Sequence, residues 1–299
     1  MTDSIKVGGH DIKITHGDRV VFPDDGVTKA EIVAHYARVA SVMVPHLKGR
    51  PVSMQRVRET IYTQVFYQKD APDYFPDWIA RVEVPKVGGT VTHAVINDAA
   101  SLVYLANQGC ITPHVWLSRV PDLQRPDRMI IDLDPGDGGV ADARLAAHLA
   151  REVVEAAGLV PHLMATGSRG YHVVVPLRPQ ADFEEVRAVA FGLAEVMARR
   201  VPDRLTTEFY KEKRDGRLFL DCNRNAWAQT AVAPYSIRPK KGAHVAVPLD
   251  WSELDSVAPD EFDVHSIVGR LEAVPNPWKS FGPHMRSATA AKKWLARQV

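Results

Sequence analysis

The segment RMIIDLDPG, residues 128–136, has the pattern of an apolar strand that ends in two acids and a Pro-Gly turn. Side chains alternate between the two faces of a strand, so Asp132 and Asp134 share one face and Leu133 lies on the other. Two carboxylates on rigid backbone form half of a site for a hard divalent cation, which prefers oxygen ligands. The alternative is that the pair merely leads into a solvent-exposed turn.

A third acid, Asp221, ends a second short apolar strand, residues 217–221. Together with Asp132 and Asp134 it would complete a site for two ions, an arrangement that suits phosphoryl transfer. Three aspartates alone fit a two-metal nuclease or phosphoesterase equally well. The pattern therefore predicts metal chemistry but leaves the substrate open.

Composition indicates an ordinary globular protein. The 299 residues suffice for one large or two smaller domains, and 45% of them are hydrophobic and 24% charged. No apolar run approaches the roughly 20 residues that span a bilayer, and the amino terminus lacks the pattern of a secretory signal. We therefore expect a cytoplasmic protein with no membrane partner.

The two cysteines, Cys110 and Cys222, are too few for a disulfide framework or a Cys-rich zinc module. The twelve histidines show no zinc-ligand spacing. We interpret Cys222 as a small buried residue. The net charge of +1 argues against coating nucleic acid by bulk charge, although a local basic groove remains compatible with it.

In the amino-terminal part, Thr28 and Glu31 fit a capping box at the start of a helix that runs to Pro45. Lys29 falls in its first turn, where free N–H groups and the helix dipole favour an anion. An ordinary solvated lysine is the alternative. A later helix is predicted to begin at Asn97 as its N-cap.

Two further strands carry basic and aromatic residues. Residues 50–58 alternate so that Arg56 and Arg58 share a face, and residues 65–69 include Phe66 and Tyr67. Exposed aromatics stack on bases while nearby basic side chains contact phosphates. Adjacent aromatics are, however, often one core and one surface residue. The proline-punctuated segment 72–85 is predicted to be a loop with a short helical turn.

From residue 128 to residue 238, helices alternate with short strands, which indicates an α/β sandwich. The predicted helices cover residues 141–157 and, with Asp182 as N-cap, residues up to Arg199. The segment TGSRG, residues 166–170, joins two predicted strands. Its glycines would let backbone N–H groups approach an anion, with donors from Thr166, Ser168, Arg169 and His172 nearby. A plain hairpin turn is the alternative.

Taken in order, these elements resemble the archaeo-eukaryotic primase superfamily, whose pattern is a strand with histidine, Asp-x-Asp, a Ser/Thr-Gly-x-Arg/Lys-Gly-x-His turn and a strand ending in Asp. More closely, the chain resembles the polymerase domain of bacterial ATP-dependent DNA ligase D and its stand-alone relatives, the bacterial primase-polymerases. The segments that carry this resemblance extend over nearly the whole chain: residues 21–23, 28–29, 111–116, 131–135, 165–172, 219–221, 229–238 and 248–251.

The resemblance implies an α+β fold with a primase-type core of two β-sheets flanked by helices. One of the two sheets would be built like an RNA-recognition motif. It implies a single primase-polymerase domain over residues 1–299. Within that domain, residues 1–110 would form an N-terminal module with DNA 5′-phosphate contacts, and residues 111–299 would form the catalytic module.

The resemblance also implies roles for individual residues. Asp132, Asp134 and Asp221 would be catalytic and would hold two Mn²⁺ or Mg²⁺ ions, so that a primer 3′-hydroxyl attacks the α-phosphate of a nucleotide and pyrophosphate leaves. The incoming nucleotide would be bound by His114, Thr166, Ser168, Arg169, His172 and Arg238. DNA would be contacted by Arg19, Lys29, Arg56, Phe66, Tyr67, Arg214 and Arg224.

Among the DNA contacts, Arg19 and Lys29 would capture the 5′-phosphate of a gap or break, and Phe66 and Tyr67 would stack on the template. The chain departs from the family pattern at three positions. Gln55 stands where a lysine is usual, Thr166 where serine is common, and Arg224 where glutamine is frequent. The first departure bears directly on how the 5′-phosphate is recognised.

The function implied is that of a DNA-dependent nucleotidyltransferase, a DNA/RNA primase-polymerase that fills gaps or extends ends in DNA repair, including non-homologous end joining. Ribonucleotides would be preferred over deoxyribonucleotides. The chain lacks a nucleotidyl-lysine ligase motif, so we expect it to rely on a separate DNA ligase for sealing. The family resemblance alone implies Ku as an end-binding partner, and we expect a monomer.

Two other classes of function remain open. A two-metal nuclease is disfavoured by the triphosphate-type donors Arg169, His172 and Arg238. A non-catalytic DNA-end-binding subunit is disfavoured by the intact aspartates.

Overall fold

The computed structural model describes residues 4–298. In chain order its strands are β1 (Ser4–Val7), β2 (His10–Lys13), β3 (Val20–Phe22), β4 (Val27–Thr28), β5 (Val52–Val57), β6 (Val65–Gln68), β7 (Ala80–Lys86), β8 (Gly89–Val95), β9 (Cys110–Trp116), β10 (Ser118–Arg119), β11 (Asp122–Pro126), β12 (Arg128–Asp134), β13 (His162–Ala165), β14 (Tyr171–Pro176), β15 (Leu205–Thr206), β16 (Leu218–Asp221), β17 (Thr230–Val232) and β18 (Val247–Leu249). Its α-helices are α1 (Lys29–Leu47), α2 (Ala99–Asn107), α3 (Gly139–Ala156), α4 (Phe183–Arg200), α5 (Ser266–Ala273) and α6 (Ala288–Leu295).

These elements form two compact units that interleave along the chain. The first unit contains the residues up to Pro121 together with Thr230–Ala246 and Phe262–Val274. The second contains Asp122–Gln229, Val247–Glu261 and the residues from Pro275 onward. The chain passes between the units several times, so neither unit is a continuous stretch of sequence.

The second unit is built on a six-stranded sheet with the strand order β15-β16-β12-β14-β13-β18. The β15–β16 pair is parallel, and the other pairs are antiparallel. Helices α3 and α4 both contact β12. Along β12 the residues up to Ile131 and then Leu133 are buried, while Asp132 and Asp134 are partly exposed. The two acids therefore share the accessible face, as the alternation in the sequence predicts.

The first unit contains a four-stranded antiparallel sheet with the order β17-β9-β5-β6, and helices α1 and α2 contact each other beside it. The capping box of α1 is confirmed, because Thr28 accepts from Glu31 N and the Glu31 carboxylate accepts from Thr28 N. Apolar residues of α1 such as Val33 and Val39 are fully buried. The helix continues two residues past Pro45, to Leu47.

Two local predictions are wrong. The N-cap of α2 is Asp98, whose carboxylate accepts from Ser101 N, while the Asn97 side chain accepts from Gly49 N elsewhere in the unit. The predicted loop 72–85 ends in a strand, since Ala80–Lys86 forms an antiparallel hairpin with Gly89–Val95. This hairpin is a sheet of two strands, in which Pro85 is tolerated because an edge strand does not need every N–H group.

Within the described part of the chain, no helix is both long and apolar enough to cross a membrane.

Candidate active site

Three carboxylates meet on the open face of the sheet of the second unit. Asp132 of β12 and Asp221 of β16 are paired across neighbouring strands, and Asp134 lies two residues further along β12. One carboxylate oxygen from each residue lies within 4.8 Å of those of the other two. Strand pairing therefore brings together acids that are almost ninety positions apart in the sequence.

Burial and the neighbouring acids together raise the pKa of Asp134 to about 6. Burial is the main cause, followed by the negative charges of Asp132 and Asp221, while His172 and Arg169 act in the opposite direction. A divalent cation would relieve this repulsion, and a donor set made of carboxylate oxygens alone fits Mg²⁺ or Mn²⁺ rather than a soft metal. The residues present thus fit the predicted metal site.

His172 completes a row of polar side chains across three strands. On β14 it is paired with Asp132, on the side of β12 opposite to Asp221. Its Nε2 atom lies 3.3 Å from Asp132 Oδ1. Its Nδ1 atom is buried and makes no hydrogen bond to any described residue. A buried polar atom of this kind usually finds a partner, which indicates a bound group or a water molecule.

The turn between β13 and β14 uses part of its hydrogen-bonding capacity internally. The Thr166 hydroxyl donates to Gly170 O at 2.7 Å, and Gly167 N donates to Pro259 O at 2.9 Å. Gly167 has a φ of +62°, and a Cβ atom on Gly170 would approach Leu133 O to 2.0 Å. Glycine is therefore required at Gly170, where the turn packs against the end of β12. Arg169 projects from this turn as an exposed residue.

A basic cavity adjoins the acidic cluster. It measures about 270 Å³ and is lined by Asp134, Pro135, Gly136, Asp137, Arg169, Lys211, Arg214, Gly216 and Arg217. Three of its basic residues belong to the segment 207–217, which we call loop 207–217. Asp137 N donates to Gly216 O at 2.8 Å, so this loop is fastened to the turn that follows Asp134. Positive charge thus lies directly beside the carboxylates.

Two asparagines that the sequence analysis did not single out support the cluster. Asn223 donates to Asp221 Oδ1 through both its backbone N and its Nδ2 atom, each at 2.8 Å. Asn225 is fully buried and exchanges two hydrogen bonds with the backbone of Ile130, at 2.8 and 2.6 Å. An Asp followed two residues later by a polar residue is a signal for an Asx turn, which could have indicated Asn223. Arg224, between them, is exposed.

In the first unit, the predicted nucleotide ligand His114 lies on β9 beside Gln55 and Tyr67. Its Nε2 atom is 3.4 Å from Gln55 Oε1 and 3.5 Å from the Tyr67 hydroxyl, and the Tyr67 ring meets the His114 ring edge-on at 5.3 Å. Tyr67 is 57% exposed. Gln55 therefore makes a polar contact with His114 at the position where the family resemblance leads one to expect a lysine.

Phe66 and Arg56 form a second contact on the neighbouring strands β5 and β6. The guanidinium groups of Arg56 and Arg58 lie 5.9 and 5.7 Å from the centre of the Phe66 ring. Arg56 also donates to Gln68 Oε1 at 2.6 Å and to Gln108 O at 2.9 Å. The aromatic and basic side chains predicted to meet DNA are thus held in contact by the sheet.

Arg19 and Lys29 are adjacent, and Lys29 is far from an ordinary surface lysine. Its side chain is only 5% exposed, and its Nζ atom donates to Thr15 O at 2.5 Å and Thr15 Oγ1 at 2.9 Å. Burial, and then the charge of Arg19, lower the pKa of Lys29 to about 8. Arg19 Nε is itself buried without a hydrogen-bond partner among residues 4–298. A buried lysine and a half-buried arginine this close would both gain from a bound anion.

The remaining predicted nucleotide ligand, Arg238, also belongs to the first unit. It follows the buried segment 231–237, and its backbone N donates to His244 O at 2.7 Å. The predicted site residues are divided between the two units. The second unit contains Asp132, Asp134, Asp221, Thr166, Ser168, Arg169, His172, Arg214 and Arg224, and the first contains His114, Arg238, Arg19, Lys29, Arg56, Phe66 and Tyr67.

Comparison with known proteins gives consistent matches. The family described as "LigD, primase-polymerase domain" matches residues 28–278. The multifunctional non-homologous end joining protein LigD of Mycolicibacterium smegmatis is 33% identical over 247 residues, which are 81% of this chain and 32% of that protein. The bifunctional non-homologous end joining protein LigD of Bacillus subtilis is 29% identical over 273 residues, or 90% of this chain and 44% of that protein. The chain thus matches 32% to 44% of the length of these two relatives.

A solved structure is similar over almost the whole fold. The polymerase domain of Mycobacterium tuberculosis ligase D, in complex with DNA, is 28% identical with a TM-score of 0.86, and the match covers 92% of this chain and 99% of that domain. This similarity confirms the predicted mixed α+β, primase-type fold.

Proposed function

The chain belongs to the family of LigD primase-polymerase domains, which are nucleotidyltransferases, and we propose that it extends DNA primer ends at gaps or breaks by template-directed nucleotide addition. The observation that carries this proposal is the cluster of Asp132, Asp134 and Asp221 next to a basic cavity. Such a cluster can hold ions at the reacting phosphate while the cations beside it hold the rest of a triphosphate or strand.

Asp132, Asp134 and Asp221 would be the ligands of two divalent ions, Mn²⁺ or Mg²⁺. When bound there, such ions lower the negative charge around the α-phosphate and stabilise the attacking and leaving oxygens. Asn223 supports this role by fixing one oxygen of Asp221 in place. The Asp132 carboxylate is similarly oriented by His172 from the neighbouring strand.

The triphosphate of the incoming nucleotide would lie at the turn between β13 and β14. Arg169 offers an exposed guanidinium at this turn, and the buried Nδ1 atom of His172 is available for a hydrogen bond to the triphosphate. Thr166 and Ser168 belong to the same turn, and the family resemblance adds His114 and Arg238 as nucleotide ligands. A preference for ribonucleotides is part of this proposal.

DNA would be held by groups of two kinds. Arg19 and Lys29 would bind a 5′-phosphate, a role supported by the burial of the Lys29 side chain and of the Arg19 Nε atom and by the lowered pKa of Lys29. Phe66 and Tyr67 would stack on the template, with Arg56 beside them. Arg214 and Arg224 would contact the strand that is extended, because they flank the β16 strand that ends in Asp221.

At the level of the whole chain, we propose one functional primase-polymerase domain, residues 1–299, with residues 1–110 as the DNA 5′-phosphate-binding module and residues 111–299 as the catalytic module. It would act as a monomer in the cytoplasm, in end joining or gap repair. Ku and a separate DNA ligase would be its partners.

The test is extension of a labelled primer across a short gap whose downstream strand carries a 5′-phosphate, with Mn²⁺ and either ribonucleotides or deoxyribonucleotides. We expect template-directed extension by the wild type and background levels from Asp132→Asn and Asp221→Asn. Asp255→Asn is the control, because Asp255 is an exposed acid that pairs with His148 and does not belong to the cluster. Metal-dependent loss of the label without extension would instead identify a nuclease, and binding without either reaction would identify an end-binding subunit.

A further inference from the structure

Loop 207–217 exposes two aromatic rings that pack against each other and reach no core. Phe209 is 62% exposed and Tyr210 is 56% exposed. Their ring centres lie 5.5 Å apart and the rings are nearly perpendicular. Single exposed aromatics are common on protein surfaces, but two adjacent ones on a loop beside a reactive site offer a surface on which a flat ligand can stack.

Two arginines hold this loop in one conformation. Arg214 Nε donates to Glu208 O at 3.0 Å, and another nitrogen of its guanidinium donates to Phe209 O at 2.7 Å, while the group lies 3.9 Å from the centre of the Phe219 ring. Arg217 donates to the carbonyls of Arg214 and Lys213 at 2.8 and 3.2 Å. The backbone that carries the rings is therefore already ordered, which lowers the entropic cost of binding.

The loop is anchored at the metal-binding edge of the sheet. Gly216 O accepts from Asp137 N, and a Cβ atom on Gly136 would approach Gly216 O to 2.0 Å, so no side chain fits between them. The same loop contributes Lys211 to the cavity that also contains Asp134 and Arg169. A strand whose end reacts at the carboxylates must therefore have its last nucleotides within reach of this loop.

The charge of the loop suits the backbone of such a strand. Its cations are Lys211, Lys213, Arg214 and Arg217, and its anions are Glu208, Glu212 and Asp215. Two of the anions are used internally, since Glu208 Oε1 accepts from Tyr210 N and Asp215 Oδ2 lies 3.4 Å from Arg217. Lys213 Nζ lies 5.3 Å from the Tyr210 ring. Aromatic rings interleaved with cations form the usual binding surface for single-stranded nucleic acid.

We propose that Phe209 and Tyr210 form a stacking site for the terminal bases of the strand whose 3′-hydroxyl is extended. This inference rests on the proposed polymerase function, because it needs a strand end that reacts at the carboxylate cluster. The extended strand is the occupant because the loop is fixed to the turn that follows Asp134. The rings would hold the end of that strand while its hydroxyl is positioned.

The first measurement is position-specific photo-crosslinking. A 5-iodouracil base, which crosslinks to an aromatic ring stacked on it, replaces either the terminal base of the primer or the template base opposite. We expect a crosslink from the primer position to Phe209 or Tyr210, mapped by mass spectrometry and absent from the Phe209→Ala/Tyr210→Ala variant. A crosslink to these rings only from the template position, or from neither position, overturns the inference.

The second measurement is the KM for primer-template compared with the KM for nucleotide. We expect the double alanine variant to raise the KM for primer-template at least about fivefold, with little change in the KM for nucleotide. Tyr210→Phe, which keeps the ring, should resemble the wild type, and Phe209→Leu, which keeps an apolar side chain without the ring, should resemble Phe209→Ala. Unchanged primer KM, or a change confined to the nucleotide KM, contradicts the stacking site.

Failure of the inference can be told apart from failure of the proposed function. If the wild type does not extend a primer, the proposed function is wrong, and the crosslinking result still decides whether the rings meet DNA because it requires no catalysis. If the wild type extends but the double variant crosslinks and binds as before, only the inference is wrong. Both rings are exposed, so we expect their truncation to leave the thermal stability unchanged.

Discussion

Asp132 and Asp221 face each other across neighbouring antiparallel strands, with Asp134 next to them on the same face. Like charges directly opposite each other destabilise a strand pair. The fold nevertheless places them there, with His172 of the neighbouring strand 3.3 Å from Asp132. The second unit is therefore less stable than its sheet could be, and a bound cation would recover the difference. This relation between stability and function leads to the first prediction.

Asp134→Asn should stabilise the metal-free protein while destroying its metal site. The pKa of Asp134 is raised to about 6, so the folded state binds a proton there more tightly than the unfolded state, and ionisation at pH 7.5 costs folding free energy. Allowing for solvent screening, we expect a gain of about 1 kcal/mol, which is about 2–4 °C in Tm. Thermal unfolding in EDTA measures this gain. Mn²⁺ should raise the Tm of the wild type but not of the variant; a variant that is less stable in EDTA contradicts the account.

Metal affinity should fall as the pH drops through 6. A proton on Asp134 competes with the cation, so once the pH is below the pKa of about 6 the apparent affinity should fall by up to about tenfold per pH unit. Calorimetric titration with Mn²⁺ at pH 7.5, 6.5 and 5.5 tests this, with thermal unfolding at each pH as the check that the fold persists. An affinity that stays constant over this range would show that Asp134 is not a ligand.

Asn223→Ala should weaken metal binding with little loss of stability. The change removes the Nδ2 donor to Asp221 Oδ1 but keeps the backbone donor, and Asn223 is only half-buried. Groups that orient a metal ligand are worth roughly tenfold or more in affinity or activity. We expect a lower affinity for Mn²⁺ and a lower kcat, with an unchanged KM for nucleotide. An unchanged Mn²⁺ affinity would mean that the backbone donor alone positions Asp221.

Asn225→Ala is the matched contrast to Asn223→Ala. Asn225 is fully buried and its amide bonds to the backbone of Ile130 and to Cys222 O. Its loss leaves buried backbone groups without partners, which costs about 1–3 kcal/mol for each group. We therefore expect a large fall in the free energy of unfolding measured with urea. Equal stability of the two asparagine variants would contradict this division of roles.

Local patterns correctly predicted where the three aspartates lie on their strands. Strand alternation placed Asp132 and Asp134 on one face, and the apolar run before Asp221 placed that residue at the end of a strand. The capping box at Thr28 was equally local and is confirmed. These features depend on neighbours within a few residues, so the sequence contains all the information that they need.

Features that depend on distant contacts could not be predicted in this way. The exchange of hydrogen bonds between Asn225 and Ile130 joins residues 95 positions apart. Lys29 has the sequence context of an exposed helix start, but contact with Thr15 buries it. Arg214 was predicted only as a DNA contact. Its hydrogen bonds to the carbonyls of its own loop depend on the folded path of that loop, which the sequence pattern does not indicate. In each case tertiary packing decides what the side chain does.

The burial of Lys29 makes the proposed preference for a 5′-phosphate dependent on pH. The pKa of Lys29 in the free protein is lowered to about 8, so above this pH the amine loses its proton, while the phosphate has already reached its full charge. A bound phosphate favours the charged amine. Above this pH the Lys29 amine must therefore take up a proton when the DNA binds. The ratio of affinities for gapped DNA with and without a 5′-phosphate should therefore fall as the pH rises from 7.5 to 9.5.

Fluorescence anisotropy with the two DNAs measures this ratio. Lys29→Met should lower it at pH 7.5 and remove its dependence on pH, because Arg19 stays charged throughout this range. Lys293→Met is the control, since Lys293 is a basic residue on α6 in the other unit. The pH dependence must come from Lys29 if it disappears in the first variant and persists in the second. A ratio that is constant with pH in the wild type, or unaffected by Lys29→Met, would show that the 5′-phosphate binds elsewhere.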